Sequence, residues 1–505
     1  MSRRLMGLGA SVGVLALASA VGTGAANAES LADAITLAYQ TNPTLQAQRA
    51  SLRSTDETYV QARAGYRPTA SISANTSFQW QWIGTPQCTV FGCQAAYTST
   101  NQLSASLNVT QPLYTGGRAT ARVRAAEASV LAARENLRQE EAQVMGAVIQ
   151  AYMDVRRDEQ ALTIRVDNVG VLQRQVDETR ARFEVGEVTR TDVAQSEAQL
   201  AAAQALLSSA QAELAVSRAG YAATVGQSPT KLEPEPAFKV FPTTIDQAFD
   251  TTQENNPAVR AADYNQEGAE ANVAEFKAQR MPQISLQGSY GYAQPVSPFD
   301  SNLNQRSATV AAVLSQPLFT GGQTSSEIRQ AVEQENIARL QYEQTKRTAV
   351  QNVSQAWSRL LAARANISAD EEQVRAARVA FEGTRAEQQA GLRTTLEVLS
   401  AQQVLENAQL DLVNARHDEY IAAATVLSVM GLLEARNLVA GIDQSPGGHS
   451  FDQLKHTLGY VPGVEDGVSA LDSIGARPID RRPPPVDAPL TTGHAASAAA
   501  SPSKP

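Results

Sequence analysis

The sequence predicts a membrane α+β protein built from a duplicated unit, each unit supplying two barrel strands and long coiled-coil helices. Three observations predict it: an internal repeat, short segments apolar at every second position, and proline-free stretches apolar at every seventh. The repeat is the firmest. Gln111-Pro112-Leu113-Tyr114-Thr115-Gly116-Gly117 recurs as Gln316-Pro317-Leu318-Phe319-Thr320-Gly321-Gly322, an offset of 205 that also carries Gly186 onto Gly391 and Gly226 onto Gly431. Nearer the front, Asn42-Pro43 maps onto Asn256-Pro257 and Pro68 onto Pro282 at an offset of 214, so nine extra residues of the first unit fall between Pro68 and Gln111. The two units span about 29–240 and 241–440. A tail over 441–505, rich in Pro, Gly, Ser and Ala, is expected to be disordered.

Residues 1–28 read as a signal peptide. Arg3 and Arg4 precede an apolar run from Leu5 to Ala20, and Ala26-Asn27-Ala28 supplies a small-x-small cleavage pattern. The run is too short to span a bilayer, and no cysteine follows the cleavage position to carry lipid. Loss of Arg3 and Arg4 takes the net charge from −9 to −11, which argues against nucleic acid as a partner. No later run is long and apolar enough for a spanning helix. Cys88 and Cys93, the only cysteines, lie within the nine-residue excess, and in an exported chain they read as a loop-closing disulfide.

The strands come next. Ile72, Ala74, Thr76, Phe78, Trp80 and Trp82 alternate with polar residues, as do Leu103, Ala105, Leu107 and Val109. The second unit repeats this with Ile284, Leu286, Gly288, Tyr290 and Tyr292, then Ala308, Val310, Ala312 and Leu314. Strands of this length, apolar on one face with aromatics at one end, suit a lipid-facing barrel. A soluble sheet covering a helical layer alternates in the same way, so the strands alone do not decide.

The helices do. No proline occurs from Leu113 to Ser228 or from Leu318 to Ser445. Val148, Val155, Leu162, Val169, Val176 and Phe183 recur every seven residues, matched 205 residues on by Val353, Leu360, Ile367, Val374, Phe381 and Gln388. A second series runs Val193, Leu200, Leu207, Leu214, Tyr221, echoed by Val398, Leu405, Leu412 and Val426 and broken by Glu419. Three residues behind each lie small side chains: Ser196, Ala203, Ala210 and Ser217, then Ala401, Ala408, Ala415 and Ala422. A sustained heptad means coiled-coil packing, and a small-residue edge permits close approach. A helix from Gly117 to Phe183 would be about 100 Å long at 1.5 Å per residue, too long for a globular core.

Each unit is therefore read as helix, strand, outer loop, strand, long helix, tight turn, helix, with Pro68, Pro112, Pro282 and Pro317 flanking the strands. Four strands cannot close a membrane barrel, and an open edge in lipid leaves backbone groups unpaired. The chain must assemble with copies of itself; three copies, giving twelve strands, are the simplest solution.

Asn-Pro near each unit's start, Ala62 to Pro68 (Ala-x-x-x-Tyr-Arg-Pro), the two Gln-Pro-Leu-Tyr/Phe-Thr-Gly-Gly motifs, Val185-Gly186 with Thr191-Asp192-Val193, and Gly391 with Glu397-Val398 together resemble TolC-family outer-membrane factors over about residues 30 to 440. The resemblance implies a homotrimer with a twelve-stranded barrel in outer-membrane lipid, joined to an α-helical tunnel in the periplasm. It implies a passive exit duct of a tripartite efflux pump or type I secretion system. Such a duct is opened by a periplasmic adaptor (membrane fusion) protein and an inner-membrane pump of the RND or ABC type, and the pump chooses the cargo. It also implies site residues. Gly186 and Gly391 match the adaptor-contact turns, Asp192 and Arg393 match linking positions of a periplasmic gate, and Glu397 matches a ring carboxylate. Ser400 replaces a second carboxylate, and Gln388 stands where an aromatic hydroxyl would strengthen the lock, so a weaker ring is expected. Thr189-x-x-Asp192 and Thr394-x-x-Glu397 are also capping-box patterns.

Enzymatic readings find little support. His417, His449, His456 and His494 show no metal spacing, no glycine-rich phosphate loop joins a strand to a helix, and neither a catalytic residue nor a cofactor is expected. The rival class is a structural or adaptor coiled-coil protein of the periplasm or cell surface, which would carry a single hairpin and soluble β domains.

Overall fold

The computed structural model describes residues 28–82, 88–93, 97–238, 241–296, 304–439, 448–457 and 459–474. The leader read over residues 1–28 lies outside these except for Ala28.

One element order runs twice. In the first unit α1 (Leu31–Thr41) and α2 (Pro43–Arg63) lead to β1 (Thr69–Trp82), a small ribbon of β2 (Cys88–Thr89) and β3 (Gly92–Cys93), and β4 (Tyr97–Tyr114). Then come α3 (Arg118–Glu184) and α4 (Arg190–Val225). The second unit repeats the plan with α5 (Ile245–Asn255), α6 (Pro257–Ala278), β5 (Gln283–Pro295), β6 (Gln305–Ser315), α7 (Gln323–Gln389) and α8 (Thr395–Val429), and a one-turn α9 (Ala435–Leu438) follows. The single entry helix expected before each first strand is thus two helices, broken at Asn-Pro. Asn42 caps α2 by accepting from Thr44 N–H, and Asn256 caps α6 by accepting from Val259 N–H. Each proline occupies the first helical turn, where no backbone donor is missed. The same two asparagines donate through Nδ2 to Thr224 O and Val429 O, tying each entry helix to the end of its unit's last helix. The repeated motif is a joint between the two ends of each unit. At the second joint Gly431 has φ +73°, and a Cβ there would lie 2.4 Å from Asn255 O, so only glycine fits.

The core sits midway along the long helices. Leu45, Met145, Val148, Ile149, Tyr152, Tyr221 and Leu433 are buried together where α1, α3, α4 and α8 converge. The Tyr152 hydroxyl donates to Glu29 O and Glu233 O, and burial raises its pKa to about 12. Its counterpart 205 residues on, Trp357, stacks on Phe241 beside a second cluster of Val353, Leu360 and Met430. Small residues of the seam bring α4 and α8 close to their partners: Ser196, Ala203, Ala210, Ala408 and Ala415 are buried.

The strands form one antiparallel sheet in the order β1-β4-β5-β6, so β4 and β5 join the two units and β1 and β6 are free edges. Every described position of β1 and β6 is exposed; Ile72 is 80% and Val310 78% accessible. Pro112, expected to flank a strand, lies inside β4, at the register shift between Pro112 and Tyr114 opposite β5. A bulge tolerates a residue that cannot donate.

The tail corrects a second expectation. Composition predicts disorder over 441–505, yet α10 (Phe451–Lys455) and α11 (Val464–Ser473) form within it and pack on the first unit. Leu454 joins Tyr59 and Val130, and Val468 joins Tyr66 and Ala119. The apolar residues that achieve this are sparse, and the segment's Gly and Ser content hid them.

Candidate functional site at the helical tips

Long helices must reverse somewhere, and both reversals use the same chemistry. At the first tip Gly186 takes φ +83°, its N–H bonding Phe183 O while Glu187 N–H bonds Arg182 O. At the second, Gly391 takes φ +77°, its N–H bonding Gln388 O while Leu392 N–H bonds Glu387 O. These bonds satisfy carbonyls that a helix end leaves orphaned, and the left-handed backbone suits glycine. Neither glycine has a heavy atom within 4 Å of where a Cβ would stand, so both tips face open space.

Capping boxes restart the helices. Thr189 N–H and Oγ1 donate to Asp192 Oδ2 at 2.9 and 2.7 Å, and Asp192 N–H returns a bond to Thr189 Oγ1. Thr394 N–H and Oγ1 donate to Glu397 Oε2 at 2.8 and 2.9 Å. Arg393 adds charge at the second tip, bonding Glu387 and Glu397 at 2.8 Å each. The Thr394 backbone N–H, then Arg393, hold the Glu397 carboxyl down to about 2, and the Thr189 hydroxyl and N–H lower Asp192. Glu387 and then Glu397 raise Arg393. Arg393 is solvent-exposed, and Asp192 and Glu397 are partly exposed.

The structure therefore brings Arg393 and Glu397 together but does not join either to Asp192; among the described residues Asp192 serves its own helix cap. Gln388, one turn before Gly391, is buried, and its Oε1 has no partner among the described residues. At the other end of the molecule Cys88 is disulfide-bonded and faces Cys93 in the backbone register of β2 and β3.

Sequence reasoning missed the links between the two hairpins of one protomer. Arg165 of α3 donates to Glu406 of α8 at 2.6 Å, and Gln402 of α8 donates to Asn168 of α3 at 2.9 Å. Leu172, Ala203 and Leu399 pack beside them. The only signal was spacing: Arg165 and Asn168 three apart, Gln402 and Glu406 four apart, each pair sharing one helix face. Nearer the middle, His417 of α8 bonds Asp154 of α3 at 3.0 Å and its neighbour Asp418 at 2.9 Å. Burial lowers its pKa, but the bonds to the two carboxylates outweigh burial and the repulsion of Arg157, and the net shift is upward.

Comparison with known proteins completes the picture. The family model described as outer membrane efflux protein matches residues 34–227 and 248–432. The outer membrane efflux protein BepC of Brucella suis is 36% identical over 414 residues, covering 82% of this chain and 88% of its own. Outer membrane protein TolC of Vibrio cholerae is 26% identical over 456 residues, covering 86% of this chain and 97% of its own. Among solved structures, the outer-membrane channel OprN aligns with a TM-score of 0.69 at 20% identity, over 79% of this chain and 89% of that one. No described helix is long and apolar enough to cross a membrane. Two hairpins with barrel strands, not one hairpin with soluble domains, set the adaptor reading aside. The chain belongs to the outer membrane efflux protein family and is an outer-membrane channel of the efflux and type I secretion class.

Proposed function

We propose that three copies of this chain close a twelve-stranded barrel in outer-membrane lipid and continue it as a helical tunnel through the periplasm. One observation carries the reading: a four-stranded sheet with two unpaired edges, whose apolar side chains a single copy leaves exposed. Edge pairing between β1 of one copy and β6 of the next satisfies both edges, since lipid offers the backbone no partner. The conduit is passive and performs no chemistry. Its tips at Gly186 and Gly391 dock on a periplasmic adaptor, and an inner-membrane pump of the RND or ABC type drives transport. Arg393, Glu397 and Asp192 ring the periplasmic entrance, with Arg393 held by Glu387 and Glu397 in the resting state and released on docking. An ion pair open to solvent is weak by itself, so threefold repetition is what makes such a gate hold. Cys88 and Cys93 close a cell-surface loop as a disulfide.

The test is assembly and conduction together. Protein from outer-membrane fractions should migrate as a trimer in unheated detergent gels and as a monomer after boiling. In planar bilayers it should conduct weakly, and Arg393→Glu should conduct more. A monomer in unheated gels, or protein that partitions to the soluble periplasm, defeats the proposal.

A further inference from the structure

The tail's docking site lies where β4 hands over to α3, the junction of sheet and helices in the first unit. Two carboxylates fully buried in α11 make it. Asp472 Oδ1 accepts from Thr115 N–H, Thr115 Oγ1 and Gly117 N–H at 2.7, 2.9 and 3.0 Å. Its Oδ2 accepts from Thr120 N–H and Oγ1 at 3.1 and 3.0 Å. The residue at the N-cap of α3 is Gly117, which has no side chain to offer, so Asp472 caps a 67-residue helix from a distant part of the chain. Two turns earlier in α11, Glu465 lies between Arg63, whose Nε donates at 2.6 Å, and Arg67, whose Nε donates at 3.0 Å. Upstream, His449 N–H donates to the buried Asp56, and Phe451 packs on Tyr59 at 5.0 Å between ring centres. Buried carboxylates persist only when donors converge on them, so this geometry is specific to one docked position.

The matching junction of the second unit is built differently. Met281 stands where the first unit has Arg67, and Arg280, which donates to Ser325, stands where Tyr66 donates to Thr120. Thr320 and Thr324, at the positions of Thr115 and Ala119, bond each other through their hydroxyls. Leu318 and Phe319 beside them are 91% and 90% exposed. The start of α7 at Gly322 is as bare of a side-chain cap as that of α3, but the arginine pair that Glu465 reads exists in the first unit alone, Lys277 and Met281 standing at the positions of Arg63 and Arg67.

We propose that residues 448–457 and 459–474 form an intramolecular latch, in which Asp472 and Glu465 pin the first unit's strand-to-helix junction while the second unit's junction is left unlatched.

Two experiments on the full-length assembled protein test this. In hydrogen exchange read by mass spectrometry, Asp472→Ala should speed exchange of the Thr115, Gly117 and Thr120 amides at least tenfold and leave residues 318–327 unchanged. Unchanged exchange over 113–122 would overturn the latch. The second needs no weakened variant: in a Cys88→Ser, Cys93→Ser background, Ala119→Cys with Val468→Cys should form an intrachain disulfide on mild oxidation. Two thiols that stay free would show that the tail does not dock there.

Discussion

At the scale of single residues, charge does more at the tips than burial does. Glu397 is only partly covered, yet its carboxyl is held down to about 2 because a backbone N–H, a guanidinium and a hydroxyl all converge on it. A depressed carboxylate contributes stability that is complete above its unfolded pKa and is lost as pH falls through the folded value. The cap and the pair with Arg393 should therefore persist from pH 7 to about pH 4. Cation preference in bilayers should be constant over that window and drop in Glu397→Ala at neutral pH; a loss of preference already near pH 5 would assign it to another carboxylate. His417 has the opposite sign. Its raised pKa gives stability that is present below the unfolded value of about 6.5 and fades as pH rises through the folded one. Melting of the assembled protein should thus fall between pH 6 and pH 8 more steeply in the parent than in His417→Gln. Parallel slopes would remove His417 from the account.

At the scale of elements, the hairpin turns and the heptads divide the labour. The seam of small residues sets how closely α4 approaches α3 and α8 approaches α7. Where each pair reverses depends on one left-handed glycine followed by a capping box. An L side chain in that backbone costs roughly 1–2 kcal/mol, less for Asn, which tolerates the left-handed region. Gly186→Asn and Gly391→Asn should therefore fold and assemble as the parent does, whereas Leu at either position adds both strain and bulk at an open tip. If the tips dock on an adaptor, export should fall in the Leu variants while trimers stay in the membrane. Export at the parental level with Leu at both positions would leave the glycines a purely conformational role.

At the scale of the whole molecule, each protomer is incomplete by design of its edges. The outer edges of β1 and β6 have no partner strand among the described residues, and the residues on their faces are exposed. The ribbon of β2 and β3 stands apart from this sheet and adds nothing to the edges. Closing so short a loop constrains few residues of the unfolded chain. Cys88→Ser with Cys93→Ser should therefore leave the yield of heat-sensitive trimer unchanged, and a collapse of trimer yield would give the loop an assembly role.

Periodicity, turn chemistry and the repeat were enough to read the type and order of almost every element, because each signal is local to a window of a few turns. The Gln-Pro-Leu-Tyr/Phe-Thr-Gly-Gly motifs marked the strand-to-helix passages, and Gly186 and Gly391 marked the tips. What the sequence could not determine is which faces meet. Four similar heptad stripes do not say that Arg165 pairs with Glu406 and Asn168 with Gln402, nor that Arg393 bonds Glu387 and Glu397 while Asp192 serves its own cap. The tail makes the point most sharply. Glu465 and Asp472 sit in a segment whose composition reads as solvated, and their donors lie 402 and 357 residues away in sequence. A carboxylate is stable in the interior only when distant donors converge on it, and convergence is a property of the folded chain, not of any window along it.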